Sequence, residues 1–289
     1  MELPVVVGVD GSEPSLRAAD WAADEAVLRG LTLRLVYASL WERYEGSVPA
    51  EDPGRPVEEA LAEDVIDTAA RRARQRQPDL KVIADLAPDE AEYALVRESA
   101  GATLLVVGSR GRSGVAETLL GSVGMAVAAR AGCPVVVLRG SHDNQAVTAA
   151  RGGVVVGVGD GAEVRAVVAF AAEEARLRGV SLHAVRAWKC PAHEPVDHPL
   201  LVGEPARVYE QRAADALEAA LAAASPEPTV YRRTAEGHAR RVLVAASHEA
   251  DLLVVGVRRR PDHGTPRLGR TAHAVLHHAA CPVAVVPHR

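Results

Sequence analysis

The chain has 289 residues, 48% of them hydrophobic and 25% charged, and its formal net charge is −5. This length predicts two globular domains of roughly 140 residues each, with enough apolar residues for two cores. The weakly acidic charge balance excludes the basic face that a nucleic acid requires, so we expect no nucleic-acid partner.

Short apolar runs rich in valine alternate along the chain with alanine-rich amphipathic segments, as in parallel strands that are buried on both faces and joined by helices. The first half predicts strands near residues 4–9, 31–38, 80–86, 103–108 and 134–139, and helices near residues 14–29, 57–76, 89–100 and 119–131. A proline-rich loop is predicted between residues 39 and 56. Right-handed crossovers then give an open, five-stranded, Rossmann-like α/β sheet, which binds ligands at the carboxyl ends of its strands.

The second half of the chain repeats the first. The sequence VVVGV at residues 5–9 recurs at residues 154–158, and LLVVG at residues 104–108 recurs at residues 252–256. The tripeptide Cys-Pro-Val precedes the last predicted strand of both halves. We therefore predict two tandem copies of one domain, at residues 1–140 and 152–289.

A glycine-rich run directly follows the fourth predicted strand and leads into a helix. It consists of Gly108, Ser109, Arg110 and Gly111, then nine residues, then Gly121 and Ser122. Glycines there allow positive φ and a close approach of backbone to an anion, and a helix N-terminus offers free N–H groups. The run predicts a phosphate cradle to which Arg110 and Arg112 add charge-assisted contacts. A glycine-rich turn with solvated arginines is the alternative.

Two further residues end predicted strands at the same edge of the sheet. Asp10 follows the first strand, where its carboxylate could accept from a ribose hydroxyl. The alternative is that Asp10 or Ser12 caps the helix that begins near Pro14, and the two roles are compatible. Val36 ends the second strand, where its backbone could read the edge of an adenine, although an isolated valine is core by default.

Together these features resemble the universal stress protein family, through the G-x2-G-x9-G-[ST] run, the D-G-S after the first strand and the Cys-Pro-Val before the last. The resemblance covers both halves, as in tandem members of that family. It implies that ATP is the ligand, with Mg²⁺ open as a companion of the nucleotide. The implied nucleotide-binding residues are Asp10, Val36, Gly108, Gly111, Gly121, Ser122 and Val123, and Arg110 is added to them for its charge beside the loop.

The resemblance also bears on assembly. It implies that the fifth strands of the two domains pair, residues 134–139 with residues 282–287, which makes the chain an intramolecular pseudo-dimer. A homodimer formed through the universal stress protein domains stays open.

The second copy departs from the motif. Gly159 stands where the first copy has Asp10, with Asp160 beside it, while Arg259 replaces Gly111 and Arg270 replaces Ser122. A long side chain at the cradle obstructs the approach of a phosphate, so we expect one nucleotide per chain. The alternative is a looser anion site formed by the arginines at positions 258, 259, 260, 267 and 270.

The histidines give no metal site. His273 and His277 have the spacing that places two ligands on one helix face, but no cysteine or carboxylate at a convincing spacing completes a set. We interpret both as solvated or helix-ending residues and expect Cys281 to pack before Pro282. No metal ligand is therefore predicted.

The sequence predicts a cytoplasmic protein without a membrane partner. Its apolar runs are far shorter than the roughly 20 residues of a membrane span, no secretion signal is visible, and three separated cysteines form no disulfide framework.

The resemblance implies a stress-responsive ATP-binding regulatory protein. A binding role rather than catalysis also agrees with the motifs, because no catalytic triad, P-loop lysine or pair of acids accompanies the glycine run. Catalytic residues are therefore unassigned. The first alternative is a nucleotide-dependent enzyme, either a weak ATPase or an adenylyl transferase. The signature loops S-G-G-x-D-S and H-x-G-H of related transferases are absent. The second alternative is a dimerisation scaffold that binds no nucleotide.

Overall fold

The computed structural model describes residues 2–39, 57–109, 120–139, 152–161, 164–190, 204–222, 228–258 and 268–288. The chain divides into two compact units, Met1–Arg139 and Gly140–Arg289, which we call the first and the second unit. Most of the loop predicted between residues 39 and 56 lies outside the described residues. The pairing of the two fifth strands stays a prediction.

The first unit is an α/β fold with a parallel sheet in the order β3-β2-β1-β4-β5. Its described strands are β1 (Val5–Gly8), β2 (Leu33–Ala38), β3 (Val82–Ala87), β4 (Leu104–Gly108) and β5 (Val135–Leu138). Its described α-helices are α1 (Glu13–Arg29), α2 (Val57–Arg76), α3 (Ala91–Glu98) and α4 (Ser122–Arg130). Every strand and helix predicted for this half is confirmed, with ends that differ by a few residues.

The second unit repeats this architecture, with the strand order β10-β9-β6-β7-β8 and parallel pairing throughout. Its described strands are β6 (Val154–Gly157), β7 (Leu182–Trp188), β8 (Val230–Glu236), β9 (Leu252–Arg258) and β10 (Val283–His288). Its described α-helices are α5 (Val164–Arg178), α6 (Glu204–Leu221), α7 (Ala239–Ala246) and α8 (Arg270–His278). Throughout the described ranges, no helix combines the length and apolar character that crossing a bilayer requires.

The central strands explain why the sequence shows continuous rather than alternating apolar runs. In β1 and β4, successive side chains such as Val5, Val6, Leu104 and Leu105 are all fully buried. Successive residues of a strand point to opposite faces, so both faces of the sheet must be covered by helices. At the edge of the sheet, β3 is largely accessible and Ile83 is exposed.

The helices pack in pairs, α1 with α2 and α3 with α4. Helix α1 begins at the N-cap Ser12, whose side chain accepts a hydrogen bond from the backbone of Ser15, and it ends at Gly30 in the left-handed conformation, with φ 66°. The first cap fixes the point at which the chain turns from β1 into α1, and the second fixes the point at which α1 ends before β2.

The strand order locates the crevice in which such sheets bind ligands. β1 lies between β2 and β4, so the connections from the carboxyl ends of β1 and β4 leave in opposite directions and open a gap between them. In the second unit β6 and β9 hold the same positions.

Candidate functional site

A pocket of about 290 Å³ lies in the first unit at the carboxyl ends of β1, β2 and β4. Six residues that the sequence singled out come together in its lining, from four separate segments of the chain. They are Asp10, Val36, Gly108, Gly121, Ser122 and Val123. The other two, Arg110 and Gly111, lie outside the described residues.

Asp10 takes part in the local structure at the start of α1. Its Oδ1 accepts hydrogen bonds from the backbone N–H of Ser12 at 3.0 Å and from the Ser12 hydroxyl at 2.6 Å. The backbone N–H of Asp10 donates to the Ser15 hydroxyl at 3.2 Å. Ser12 is thus the helix cap, and Asp10 orients Ser12 while its half-buried carboxylate lines the pocket.

Val36 is buried in the apolar part of the lining, with 2% of its surface exposed. Its carbonyl oxygen accepts a hydrogen bond from the backbone N–H of Val9 at 3.0 Å. One lone pair of the carbonyl is therefore already used between β1 and β2, and the second lone pair remains for another donor.

Gly108 is required for packing rather than for an unusual backbone conformation. A Cβ at this position would lie 2.8 Å from the backbone carbon and oxygen of Pro14 and 3.0 Å from the backbone nitrogen of Ser15. Only a glycine lets β4 approach the start of α1 so closely.

The positive φ that we expected in the glycine run is wrong for both described glycines. Gly108 is not among the residues with positive φ, and Gly121 has φ −64°. The left-handed conformation occurs instead at Gly11, with φ 82°, in the turn from β1 to α1. That turn must reverse the chain within a few residues. Gly121, by contrast, has an extended N-cap conformation that residues other than glycine can also adopt.

Helix α4 presents its N-terminus to the pocket. Gly121 is its N-cap and makes no side-chain cap hydrogen bond, while its backbone N–H donates to the carbonyl of Ser109 at 2.9 Å. Ser122, Val123 and Gly124 follow in the pocket lining. The first N–H groups of a helix have no intrahelical partner, and together with the helix dipole they favour an anion.

Other residues of the pocket wall were not predicted from the sequence, among them Ser15, Ala38, Ala91 and Leu95. Leu95 of α3 fills the space above Gly8, because a Cβ on Gly8 would lie 2.7 Å from a Leu95 methyl carbon. A glycine within a buried strand signals such a close approach. The sequence pattern showed that signal but not its partner.

Comparison with known protein families matches one family model to both halves of the chain. The family model described as the universal stress protein family matches residues 2–139 and again residues 152–287. The chain belongs to the universal stress protein family.

One curated relative and one solved structure match nearly the whole chain. A universal stress protein of Mycobacterium tuberculosis is 34% identical over 301 residues, which cover 97% of this chain and 96% of the relative. The solved universal stress protein of Archaeoglobus fulgidus covers 99% of both chains with a TM-score of 0.66 at 17% identity, which supports the fold. A solved universal stress protein in complex with cAMP is 28% identical, covers 48% of this chain and 98% of its own, and has a TM-score of 0.37.

The second universal stress protein unit has a pocket of about 250 Å³ at the equivalent place, with different contacts. Asp160, the acid nearest to the position of Asp10, forms an ion pair with Arg186. Arg186 Nη1 also donates to the carbonyl of Gly159 at 2.6 Å. Arg186 lines this pocket at the position of Tyr37 in the first unit.

The floor of the second pocket also differs. The His288 ring packs on Gly256, with two ring atoms 2.9 Å from the place that a Cβ would take. Arg259 lies outside the described residues. Arg270 lines a separate groove between α7 and α8 instead of this pocket.

The histidine pair on α8 is partly buried. The His273 and His277 rings lie 4.5 Å apart, and His277 is 9% exposed, so of the two predicted alternatives, solvated or helix-ending, His277 fits the second. His277 does lie in the last turn of α8. In the part of the chain that the structure describes, no group of three potential metal ligands occurs. Cys281 is fully buried before Pro282, and burial raises the pKa of its thiol to about 12.

Proposed function

We propose that this universal stress protein is a stress-responsive regulatory protein that binds one ATP in its first unit. One observation carries the proposal. The Asp10 carboxylate and the N-terminus of α4 both line a single pocket, which lies at the crevice of the sheet. The carboxylate can accept from ribose hydroxyls, and the N–H groups of the helix can donate to phosphates. Val36 and Leu95 supply the apolar wall that an adenine needs.

Three residues of the second unit support a stoichiometry of one. The Asp160 carboxylate is already paired with Arg186, so a ribose would have to displace that guanidinium. The His288 ring occupies the space beside Gly256, where a ligand would have to approach the strand end.

The proposal extends to the setting in which the protein works. Nucleotide binding would alter its conformation or its partners, with Mg²⁺ accompanying the ATP and no metal ligand assigned to the chain. We place the protein in the cytoplasm and include a homodimer formed through its universal stress protein fold. No residue is given a catalytic role.

The test is calorimetric titration of the full chain with ATP. We expect saturation near one ATP per chain, and we expect Gly111→Arg, which copies the second unit, to abolish binding without changing the circular dichroism spectrum. The matched control is Arg259→Gly, which should leave the stoichiometry at one.

Each part of the proposal can fail separately. Unchanged ATP affinity in Gly111→Arg would exclude the glycine run of the first unit as the ATP site. Saturation at two ATP per chain would exclude the proposal that the second unit binds no nucleotide. Mass spectrometry of small molecules extracted from the purified protein tests the identity of the nucleotide. If no adenine nucleotide copurifies or binds, the chain is a scaffold.

A further inference from the structure

A second cavity, of about 900 Å³, lies between α7 and α8 of the second unit, apart from the sheet-edge pocket. Cationic and titratable side chains form much of its lining, together with small apolar ones. The first group consists of Arg240, Arg241, His248, Arg270, His273 and His278, and the apolar group consists of Val244, Ala245, Leu268 and Ala274.

On the equivalent face of the first unit, between α3 and α4, the arginines form ion pairs with acids. Glu92 forms an ion pair with Arg130, and Arg97 forms one with Asp89 at 2.9 Å. Each arginine on that face thus has an acid beside it.

The second unit lacks these acids. In the aligned sequences Asp89, Glu90 and Glu92 correspond to residues 237, 238 and 240, which are glycine, histidine and arginine. At the start of α8, Arg270 takes the place of Ser122. The second unit has therefore gained cations on this face and lost the acids that neutralise them.

The three arginines of the groove carry no acid partner within the described ranges. No ion pair joins Arg240, Arg241 or Arg270 to a carboxylate there, and all three are exposed. Their field reaches the neighbouring exposed His238, whose pKa is lowered by Lys189 first and also by these three arginines. Like charges gathered at one concave surface repel each other and concentrate anions.

We propose that the groove between α7 and α8 binds a small organic phosphate. Guanidinium groups match phosphate oxygens with paired hydrogen bonds, and three of them line one cavity. The N-terminus of α8, where Arg270 lies, adds to the positive potential. Val244, Leu268 and Ala274 give the organic part of the ligand an apolar contact, and the volume is within the usual range for small-molecule sites.

This site differs from the anion site that the sequence suggested. That alternative placed the anion among the arginines at positions 258, 259, 260, 267 and 270, whereas the groove is built around Arg240 and Arg241 of α7. Arg259, Arg260 and Arg267 lie outside the described residues, and of the two described arginines of that set Arg270 lines the groove and Arg258 does not. The proposal is also independent of the nucleotide pocket, which lies in the other unit.

The experiment titrates the full chain with naphthyl phosphate at low ionic strength, by calorimetry. We expect the double variant Arg240→Glu with Arg241→Glu to bind about tenfold more weakly or worse, because charge-assisted hydrogen bonds become repulsions. Arg233→Glu is the matched control, because it is an exposed arginine on β8, outside the groove lining. It should leave the affinity unchanged.

Two comparisons make the result decisive. Inorganic phosphate should bind more weakly than naphthyl phosphate, because it cannot use the apolar lining. Gly111→Arg in the first unit should bind naphthyl phosphate as the unaltered chain does. The proposal is overturned if the probe does not bind, if the double variant binds it normally, if Arg233→Glu loses as much affinity, or if Gly111→Arg abolishes binding.

Discussion

Asp10 combines a structural contact with a place in the pocket, and the two can be separated by substitution. Asp10→Asn keeps an oxygen that can accept from Ser12 but removes the negative charge. We expect ATP affinity to fall about tenfold, while the free energy of unfolding changes by less than about 1 kcal/mol. Calorimetry and urea unfolding measure the two effects.

The matched control for Asp10 lies in the second unit. Asp160→Asn removes the same charge from an acid that is bonded to Arg186. ATP affinity should be unchanged in this variant. Equal losses in the two variants would show that the effect of Asp10→Asn comes from net charge rather than from the pocket.

Gly108 lies against backbone atoms that cannot move to make room for a side chain. A methyl group would meet the main chain of Pro14 at 2.8 Å, so Gly108→Ala should lower the free energy of unfolding by about 2 kcal/mol. Gly101→Ala is the control, because nothing lies within 4 Å of the added carbon. Urea unfolding measures both, and comparable stability of the two variants would contradict the packing role of Gly108.

The buried thiol of Cys281 should be chemically inert in the folded protein. Only the thiolate reacts with alkylating reagents, and a pKa raised to about 12 leaves almost no thiolate at mildly alkaline pH. Cys190 is half-buried and provides the internal comparison. Peptide mass spectrometry after brief alkylation should show modified Cys190 and unmodified Cys281, with Cys281 reacting only after unfolding. Similar rates at the two cysteines would contradict the burial.

At the scale of elements, the sequence predicted which segments are strands and helices, but it did not predict the side-chain contacts by which the helices pack against each other. A strand covered on both faces reads as a continuous apolar run, and an alanine-rich periodic segment reads as a helix, so β1, β4 and α1 could be found from local pattern. The ion pairs from Arg72 to Asp20 and from Arg76 to Asp24 link residues 52 positions apart. They depend on the rotation of α1 and α2 about their axes, which no local pattern contains.

These ion pairs should contribute measurably to stability. Asp24 is 9% exposed at its side chain and accepts from Arg76 and from Gln77. Arg76→Ala leaves the buried carboxylate with fewer donors, so we expect the free energy of unfolding to fall by about 2 kcal/mol.

The control for this helix contact is Arg71→Ala. Arg71 is exposed and bonds to Thr68 within its own helix, so its removal should change the unfolding free energy by less than about 0.5 kcal/mol. Urea unfolding of the two variants measures both free energies. Equal changes in the free energy of unfolding would show that the contact between α1 and α2 adds nothing to stability.

At the scale of the whole molecule, the duplication could be predicted from the sequence, but the differences between the copies only in part. Gly159 and Arg270 showed that the second motif is altered. The ion pair of Arg186 with Asp160 could not be foreseen, because it joins the ends of two neighbouring strands. The groove of Arg240 and Arg241 was missed for the same reason, since the fold brings their helix beside α8.

The asymmetry of the two copies predicts an asymmetric response to ATP. A ligand at 100 times its dissociation constant stabilises the folded state by about 2.7 kcal/mol, and amides at the binding site gain protection from hydrogen exchange. ATP should therefore slow exchange in residues 9–12 and at the start of α4, but not in residues 158–161 or at the start of α8.

Hydrogen-exchange mass spectrometry of the full chain, with and without ATP, gives this comparison within a single molecule. The two copies share strand order and register, so any difference in protection reflects the site residues rather than the fold. Equal protection at both sheet edges would mean that ATP displaces Arg186 from Asp160, and that the second unit binds nucleotide despite its altered residues.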